Sequence, residues 1–524
     1  MPDAHVAVGR VVAGRGAEVL GVVAIEREAP DAWERAVADA RALGGWTKKF
    51  DLGVYVAGVD SRMPAALLAS AREWYALDHH AAHAALAYHD APFKRPLIIS
   101  SDGGNDGSFA LFARRDRLPL ATRDVDPCGA YAAVAAAIPA VAGCSPKKAP
   151  LLKKERDAAA SCALYAPQRD EDDVAGKLDE YAALGQPRAG WRQALKAAFG
   201  NASRPISTEG AEASYVDWAA SAQTAFQDVL VASAARALNW LRAKRVSMPD
   251  GVALVGACAL NAGANSHLYR SLGIPVHVPA ASSDRGLGVG ALYVVASPTL
   301  PRQPLAYAGP RLLDVADVPR LAAERDATPF DDDHRLAARV AELLARGAVV
   351  GIARGRAEHG PRALGHRSLL ADPSMTTMRD RLNRLMERDT WRPVPSIVLA
   401  ADAFSLFEVG DLWVSPYLSL APRLTAQACA DLPAVCHVDS TARVQTLEPA
   451  DEPWIARILE TFSQTTGKPS ILCNAPLRRN GEPLLSTATR TLAFLCETHD
   501  LDYVVIESYV FDKKSACRNL RAEL

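Results

Sequence analysis

The chain has 524 residues, 49% of them apolar and 23% charged, proportions ordinary for a folded globular protein. Its 59 lysines and arginines almost cancel 60 aspartates and glutamates, leaving a formal net charge of -1. That balance speaks against a dedicated nucleic-acid binder, which carries a basic excess or a basic stripe.

The length corresponds to about two to four domains' worth of core. The one dense basic run, Lys147 to Arg156, has no interleaved aromatics and reads as a solvated face. The opening residues lack the apolar core of a secretory signal. No stretch approaches the roughly 18 uninterrupted apolar residues of a membrane span. The nine cysteines are scattered and form no CxxC pair. They predict a cytoplasmic, reducing setting, with neither a disulfide framework nor a structural zinc site.

In chain order, GVVAI (Gly21 to Ile25) and LGVYVAGV (Leu52 to Val59) read as strands, and Ala65 to His89 as helical segments. PLIISSDGG (Pro96 to Gly104) is a strand running into a glycine turn, with ALFARR (Ala110 to Arg115) as its expected hairpin partner. Residues 116–215 read mostly as helix and loop, and the long helix Ala219 to Arg245 leads into the strand Gly251 to Ala257. This alternation predicts an α/β fold. The proline-rich stretch Ser297 to Leu312 reads as a linker. Beyond it the helix His334 to Gly347 feeds the strand Ala348 to Gly355. The domain boundary is placed near residue 320, giving domains 1–320 and 321–524.

Two elements carry chemistry in the first domain. His79 and His83 stand at i and i+4 in an alanine-rich helical segment, so they share a face and can bind one ion. Asp102 ends an apolar strand beside glycines, where a carboxylate can approach a metal or a phosphate. Asp284 sits in a similar setting, SDRGLGVGA. A pair of surface histidines and a plain Asx-turn are the bland alternatives. Taken together, two imidazoles and two carboxylates suit iron, manganese or zinc better than calcium, which prefers all-oxygen ligands.

HHAAHAALAYHDAPF resembles the HHxxHAxxAY segment of the NodU/CmcH carbamoyltransferases. Asp102 matches that family's DGxGD element. GACALNAGANSHL (Gly256 to Leu268) is similar to its GGxxxNxxxNxxL motif, and SSDRGLGVGA to its SDxGxxxGA motif. The resemblance implies an N-terminal ASKHA/Kae1-like domain followed by a C-terminal YrdC-like α/β domain. It implies metal ligands His79, His83, Asp102 and Asp284, with iron the first expectation. Gly256, Asn261, Asp284 and Gly286 would hold the nucleotide. His80 would act near an acceptor hydroxyl, or else cap the helix.

In the second domain, residues 354–372 read RGRAEHGPRALGHRSLLAD. Arg354, Arg356, Arg362 and Arg367 alternate with Gly355, Gly360 and Gly365. Forked guanidinium donors bind planar oxyanions, and glycines let them reach a small ligand. The segment resembles the family signature GRxExGPRALGxRSxxADP. Three more follow in family order: Leu382 to Ser396, Cys436 to Leu447 and Thr466 to Pro483. By that resemblance Arg362 and Arg392 are catalytic and, together with Arg443, hold carbamoyl phosphate or its products; Asn474 and Arg478 are further candidate substrate-binding residues.

The chain also departs from the family. The family lysine ahead of the RExFRP element falls on Met386 or Glu387. NTSFN becomes Asn474-Ala475-Pro476-Leu477-Arg478, where Arg478 is a candidate replacement cation. The family's opening GHDASA loop is absent, with only Gly21 to Glu28 similar to the strand after it. The EGKxMGLAxYG region is eroded to the fragment Ala175 to Gly185.

The activity implied is ATP- and metal-dependent O-carbamoyl transfer from carbamoyl phosphate to a hydroxyl of a small-molecule natural product, such as an antibiotic. ATP with Mg is the co-substrate. The expected partners are small molecules, with no nucleic acid and no membrane, and a homodimer is one assembly this allows. The alternatives are an adenylate-forming relative with another donor or an amine acceptor, a tRNA threonylcarbamoyl-type transferase, and a non-catalytic binding protein.

Overall fold

The alternating pattern resolves, in a computed structural model, into two mixed α/β units, Met1–Leu305 and Ala306–Leu524. The structure describes residues 4–12, 16–25, 37, 38, 41, 50–56, 69–102, 109–113, 118–122, 127–142, 171–199, 206, 210–298, 305–410, 413–480 and 482–518.

In the first unit β1 (Ala4–Val12) and β2 (Gly16–Ile25) pair antiparallel. Strands β3 (Phe50–Val56) and β4 (Ala71–Leu77) pair in parallel. β4 corrects the reading of Ala65 to His89 as helical segments, for Ala71–Leu77. Its aromatic Trp74 lies opposite Gly53, where a Cβ would stand 2.5 Å from the indole. Cross-strand packing of this kind overrides the helix propensity of the nearby alanines. The helix α1 (His79–Asp90) starts only after Asp78, whose Oδ1 accepts the Ala81 N–H at 2.7 Å.

β5 (Pro96–Ser101) is buried at every position. It centres a five-stranded sheet of order β7-β6-β5-β8-β9, with β6 (Phe109–Ala113), β7 (Leu118–Thr122), β8 (Gly251–Val255) and β9 (Val276–His277). β6 is the hairpin partner expected at Ala110 to Arg115, whereas β7 adds a strand to a stretch read as helix and loop. β5, β8 and β9 run in parallel. A strand buried on both faces is apolar throughout, which is why PLIIS and GVALV lack alternation. Helices α2 (Pro127–Ala137), α3 (Glu171–Ala182) and α4 (Ala189–Phe199) pack along the long α5 (Tyr215–Ala243). α6 (Ala262–Leu272) joins β8 to β9, and α7 (Leu287–Val295) packs on α1.

The second unit has an eight-stranded mixed sheet of order β10-β17-β16-β11-β12-β15-β13-β14. Its strands are β10 (Thr328–Pro329), β11 (Val350–Ala353), β12 (Arg367–Ala371), β13 (Ser396–Leu399), β14 (Val444–Leu447), β15 (Ile471–Pro476), β16 (Tyr503–Ile506) and β17 (Tyr509–Asp512). Helix α8 (Asp333–Ala345) buries Leu336, Val340 and Leu344 at helical spacing. They meet Ile458, Leu459 and Phe462 of α10 (Pro453–Thr466) over Ile352, Leu370, Ile397 and Leu472 of the sheet. Two further helices of this unit are α9 (Met378–Leu385) and α11 (Ala488–Glu497).

The cysteines require a correction. Cys429 pairs with Cys436, and Cys496 with Cys517, against the expectation of no disulfides. Spacing along the chain did not reveal these pairs, because the turns that close them bring the Cα atoms to 5.3 and 5.5 Å. Among the described residues, no helix is long and apolar enough to cross a membrane.

Candidate functional site

His79 and His83 stand one turn apart on α1, Asp102 follows the last residue of β5, and Asp284 opens the turn ahead of α7. The structure brings all four together. His79 Nε2 lies 2.8 Å from Asp102 Oδ2 and 3.5 Å from Asp284 Oδ1. His83 Nε2 lies 3.0 Å and 3.4 Å from the same two oxygens. The two Nε2 atoms are 3.1 Å apart. All four ligand atoms fall within 4.8 Å of one another, the one such group among the described residues.

The frame behind the group is tight. Asp102 Oδ1 accepts the Ala257 N–H at 3.0 Å, which fixes its carboxylate. That contact depends on Gly256, at φ +93°, where a Cβ would lie 2.2 Å from the Ser101 carbonyl oxygen. Burial works against a charged His83, but Asp102 and Asp284 outweigh it and push its pKa up to about 9. Burial likewise opposes the Asp102 carboxylate, yet His79 and His83 hold its pKa well below the usual carboxylate range. Two facing imidazole nitrogens and two carboxylates thus form a pocket of negative potential that a cation would neutralise. Ligands on a shell of about 2.1 Å stand roughly 3.4 Å apart in a tetrahedron, so the residues present fit a divalent transition ion.

His80 is buried and turned toward β5, its Nδ1 2.7 Å from Ser100 Oγ, and is not one of the four. Asn261 caps α6 through the Ala264 N–H at 2.9 Å and exchanges two 2.9 Å amide hydrogen bonds with Gln223. Tyr131 donates its hydroxyl to the same Gln223. Asn261 therefore sits within the frame under the turn. Gly286 is pressed onto the Ala281 carbonyl, where a Cβ would lie 2.1 Å away. Sequence reasoning did not single out Asp179, which is buried on α3 and accepts the Gly263 N–H in the first turn of α6 at 3.2 Å. Its signal was the charged cluster Lys177, Asp179 and Glu180, all buried.

In the second unit the four arginines of residues 354–367 divide by role. Arg367 is buried and donates from Nη1 to the carbonyls of Arg354 (3.0 Å) and His366 (2.9 Å), and from Nη2 to that of Gly355 (3.0 Å). Arg354 reaches Asp333 at 2.5 Å and lies over the Trp454 ring. Arg356 donates to the Ala308 carbonyl at 2.9 Å. Glu358 Oε1 gathers the N–H groups of Leu364, His366 and Arg367 at 2.8, 2.8 and 3.0 Å. Arg362, half-buried, lies inside the loop that these contacts shape.

The loop is fastened to the sheet by Asn474 on β15, whose Nδ2 donates to the Ala363 carbonyl (3.1 Å) and to Gln445 Oε1 on β14 (3.0 Å). The Asn474 N–H donates to the Pro395 carbonyl, and the Ser396 N–H to that of Arg443, each at 2.8 Å. Asn383 Nδ2 donates to the Arg392 carbonyl at 2.9 Å. His437 Nε2 lies 3.3 Å from the Trp391 carbonyl. The backbone segments bearing Arg362, Arg392 and Arg443 are thus joined through a few hydrogen bonds. Asp439, despite burial, is held below the usual carboxylate range by His437, Thr441 and the Arg443 charge.

Where the family lysine is missing, Met386 is buried, and Arg388 Nη1 lies 4.0 Å from its sulfur. The Asn480 N–H donates to the Met386 carbonyl at 2.8 Å, so the segment bearing Arg478 does reach this position. Arg479 is the residue that meets Glu387, at 3.3 Å, and it also pairs with Glu497 at 2.9 Å. Arg478 donates to the Glu482 carbonyl at 2.8 Å.

Residues 341–513 match the family described as carbamoyltransferase C-terminus. Nodulation protein NolNO of Sinorhizobium fredii is 36% identical over 276 residues, covering 51% of this chain and 40% of that protein. Nodulation protein NolO of Bradyrhizobium diazoefficiens is 32% identical over 275 residues, covering 50% and 49%. The 3'-hydroxymethylcephem-O-carbamoyltransferase of Amycolatopsis lactamdurans is 33% identical over 270 residues, covering 50% and 49%. The chain spans about half the length of the curated relatives it matches.

Proposed function

We propose, from the premise that this chain belongs to the NodU/CmcH carbamoyltransferase family, that it is an ATP-dependent O-carbamoyltransferase acting on a small-molecule hydroxyl. The observation that carries the reading is the hydrogen-bonded junction of the segments bearing Arg362, Arg392 and Arg443 at Asn474 and Ser396. Guanidinium groups of these three segments converging on one anion would suit a doubly charged phosphate with a planar carbamoyl group attached.

In the proposed sequence, water cleaves the P–O bond of carbamoyl phosphate to give phosphate and carbamate. A carbamate oxygen then attacks the α-phosphate of ATP, and pyrophosphate leaves with the electron pair of the broken P–O bond. The acceptor hydroxyl attacks the carbamoyl carbon of the adenylate, AMP departs with the C–O pair, and the hydroxyl proton passes to solvent. Excluding water from the site would protect carbamate from decomposition. Gly256, Asn261, Asp284 and Gly286 are the candidate nucleotide frame. His79, His83, Asp102 and Asp284 would hold the metal, with iron ahead of manganese and zinc. A bound divalent ion would stabilise negative charge developing on the transferred group. His83 would hold a proton against the Asp102 and Asp284 carboxylates, and an incoming ion would displace it.

The test is to incubate the protein with ATP, Mg and carbamoyl phosphate and to follow AMP, pyrophosphate and the adenylate by mass. AMP release that does not depend on carbamoyl phosphate would sink the reading. One observation favours a second reading, an adenylate-forming relative with a different carboxylate donor. Met386 and an Arg479-paired Glu387 stand where a family lysine is expected. Donor-dependent AMP release with another carbamoyl or carboxylate compound, and none with carbamoyl phosphate, would select it.

A further inference from the structure

His366 lies between two groups that only accept hydrogen bonds. Its Nδ1 is 2.6 Å from the Arg356 carbonyl oxygen, and its Nε2 is 3.0 Å from Glu452 Oε2. A neutral imidazole carries one N–H and can serve only one of them. Both contacts are made when the ring is doubly protonated. The ring also stacks on Tyr307, with centroids 4.1 Å apart and planes inclined by 21°.

The surrounding groups favour that charge. Glu452 approaches from the residue ahead of α10, and Glu358 from within the loop. Tyr307 covers a ring face and stays neutral, because burial and then Glu452 and Glu358 push its pKa well up. The Arg354 guanidinium is engaged by Asp333 and the Trp454 ring, and that of Arg356 by the Ala308 carbonyl. Burial opposes the His366 charge, but Glu452 and Glu358 prevail and raise its pKa above the ordinary imidazole value.

Arg356 and His366 stand on either side of Arg362 in the sequence. The contact between them closes the neck of the arginine loop, and Glu452 ties that neck to a separate element. We propose that the His366 imidazolium is a positioning residue: by clamping the loop neck to Glu452 it fixes where Arg362 stands, so donor binding weakens as His366 loses its proton. The inference rests on the reading of Arg362 as a donor-binding residue. Because the folded-state pKa is raised, the clamp is complete below the ordinary imidazole pKa and is lost as pH rises through the raised folded-state value.

Two measurements test this on the full chain. In the first, KM for carbamoyl phosphate is followed against pH. The wild type should show KM rising as pH climbs above the ordinary imidazole pKa, with kcat nearly constant. Glu452→Gln keeps an acceptor but removes its charge, so the rise should move to lower pH. His366→Gln should raise KM about tenfold at pH values below the inflection, the scale of one lost charge-assisted contact, and abolish the rise. A purely structural role would change the folded fraction and leave no inflection to move, so an inflection unshifted in Glu452→Gln overturns the proposal. In the second, 15N-histidine NMR should find His366 losing its second proton only above the ordinary imidazole pKa, and hydrogen exchange over residues 354–367 should speed up in His366→Gln. A ring that titrates at or below the ordinary imidazole pKa, or unchanged exchange, overturns the clamp. If the wild type makes no AMP from carbamoyl phosphate, the donor reading has failed, and the NMR and exchange results still decide the clamp.

Discussion

Gly290 of α7 rests against the main chain of Ala82 in α1, so closely that a Cβ on Gly290 would stand 2.1 Å from the Ala82 carbonyl oxygen. Glycine lets the two helices touch through their backbones. α1 carries His79 and His83, and α7 follows the turn that carries Asp284, so this contact sets the spacing of the four-residue group. Gly290→Val is therefore expected to force the helices apart, with a stability loss of about 1–3 kcal/mol from overpacking. Metal affinity should fall in parallel. Thermal unfolding and a metal titration check both, and a variant with wild-type Tm and affinity contradicts the spacing argument.

One transition-metal ion per chain is expected in the wild type, because two imidazole nitrogens and two carboxylate oxygens converge within 4.8 Å. Elemental analysis of the purified protein measures it. The double variant His79→Ala, His83→Ala should lose the metal, and an unchanged content would show that the ion sits elsewhere.

Arg362→Ala should abolish AMP and pyrophosphate formation from carbamoyl phosphate while the protein stays folded. Loss of a charge-assisted contact weakens binding by about 1.5–3 kcal/mol, whereas trimming a half-buried arginine within a loop held by other contacts disturbs the fold little. Circular dichroism and a turnover assay separate the two effects. Normal turnover in the folded variant would remove the donor from this loop.

Arg478 and Arg479 are adjacent but differ in their partners. Arg479 pairs with Glu387 and Glu497, both at or near the surface, and its removal should change stability by less than about 1 kcal/mol without altering turnover. Arg478→Ala is expected to lower turnover by about tenfold, the scale of one lost charge contact, if it supplies the cation missing at Met386. Met386→Lys should restore part of that loss. Wild-type kinetics in Arg478→Ala would favour the alternative donor.

The two disulfides are open to direct measurement. Alkylation of the unfolded, unreduced protein should leave Cys429, Cys436, Cys496 and Cys517 unmodified, and reductant should release all four. Peptide mapping that finds them alkylated without reductant restores the sequence-based expectation of free thiols.

The sequence by itself determined the short-range features. An i, i+4 spacing places His79 and His83 on one helix face, and an apolar run ending in Asp102 marks a buried strand with a carboxylate at its tip. The glycines of SDRGLGVGA announce a close approach, because a missing side chain is visible in a sequence even when its neighbour is not. The arginine loop was legible for the same reason, from residue type and density. Only the tertiary structure decided what each of those residues does. It turned His80 toward Ser100, used Arg367 to gather three carbonyls, made β4 a strand beside Gly53, and set His366 between Arg356 and Glu452. Each of these outcomes turns on the directions of side chains and on partners brought near by folding. Spacing along a chain constrains a residue's neighbours within a turn or a strand, but hydrogen-bond partners are chosen by which polar groups become buried together.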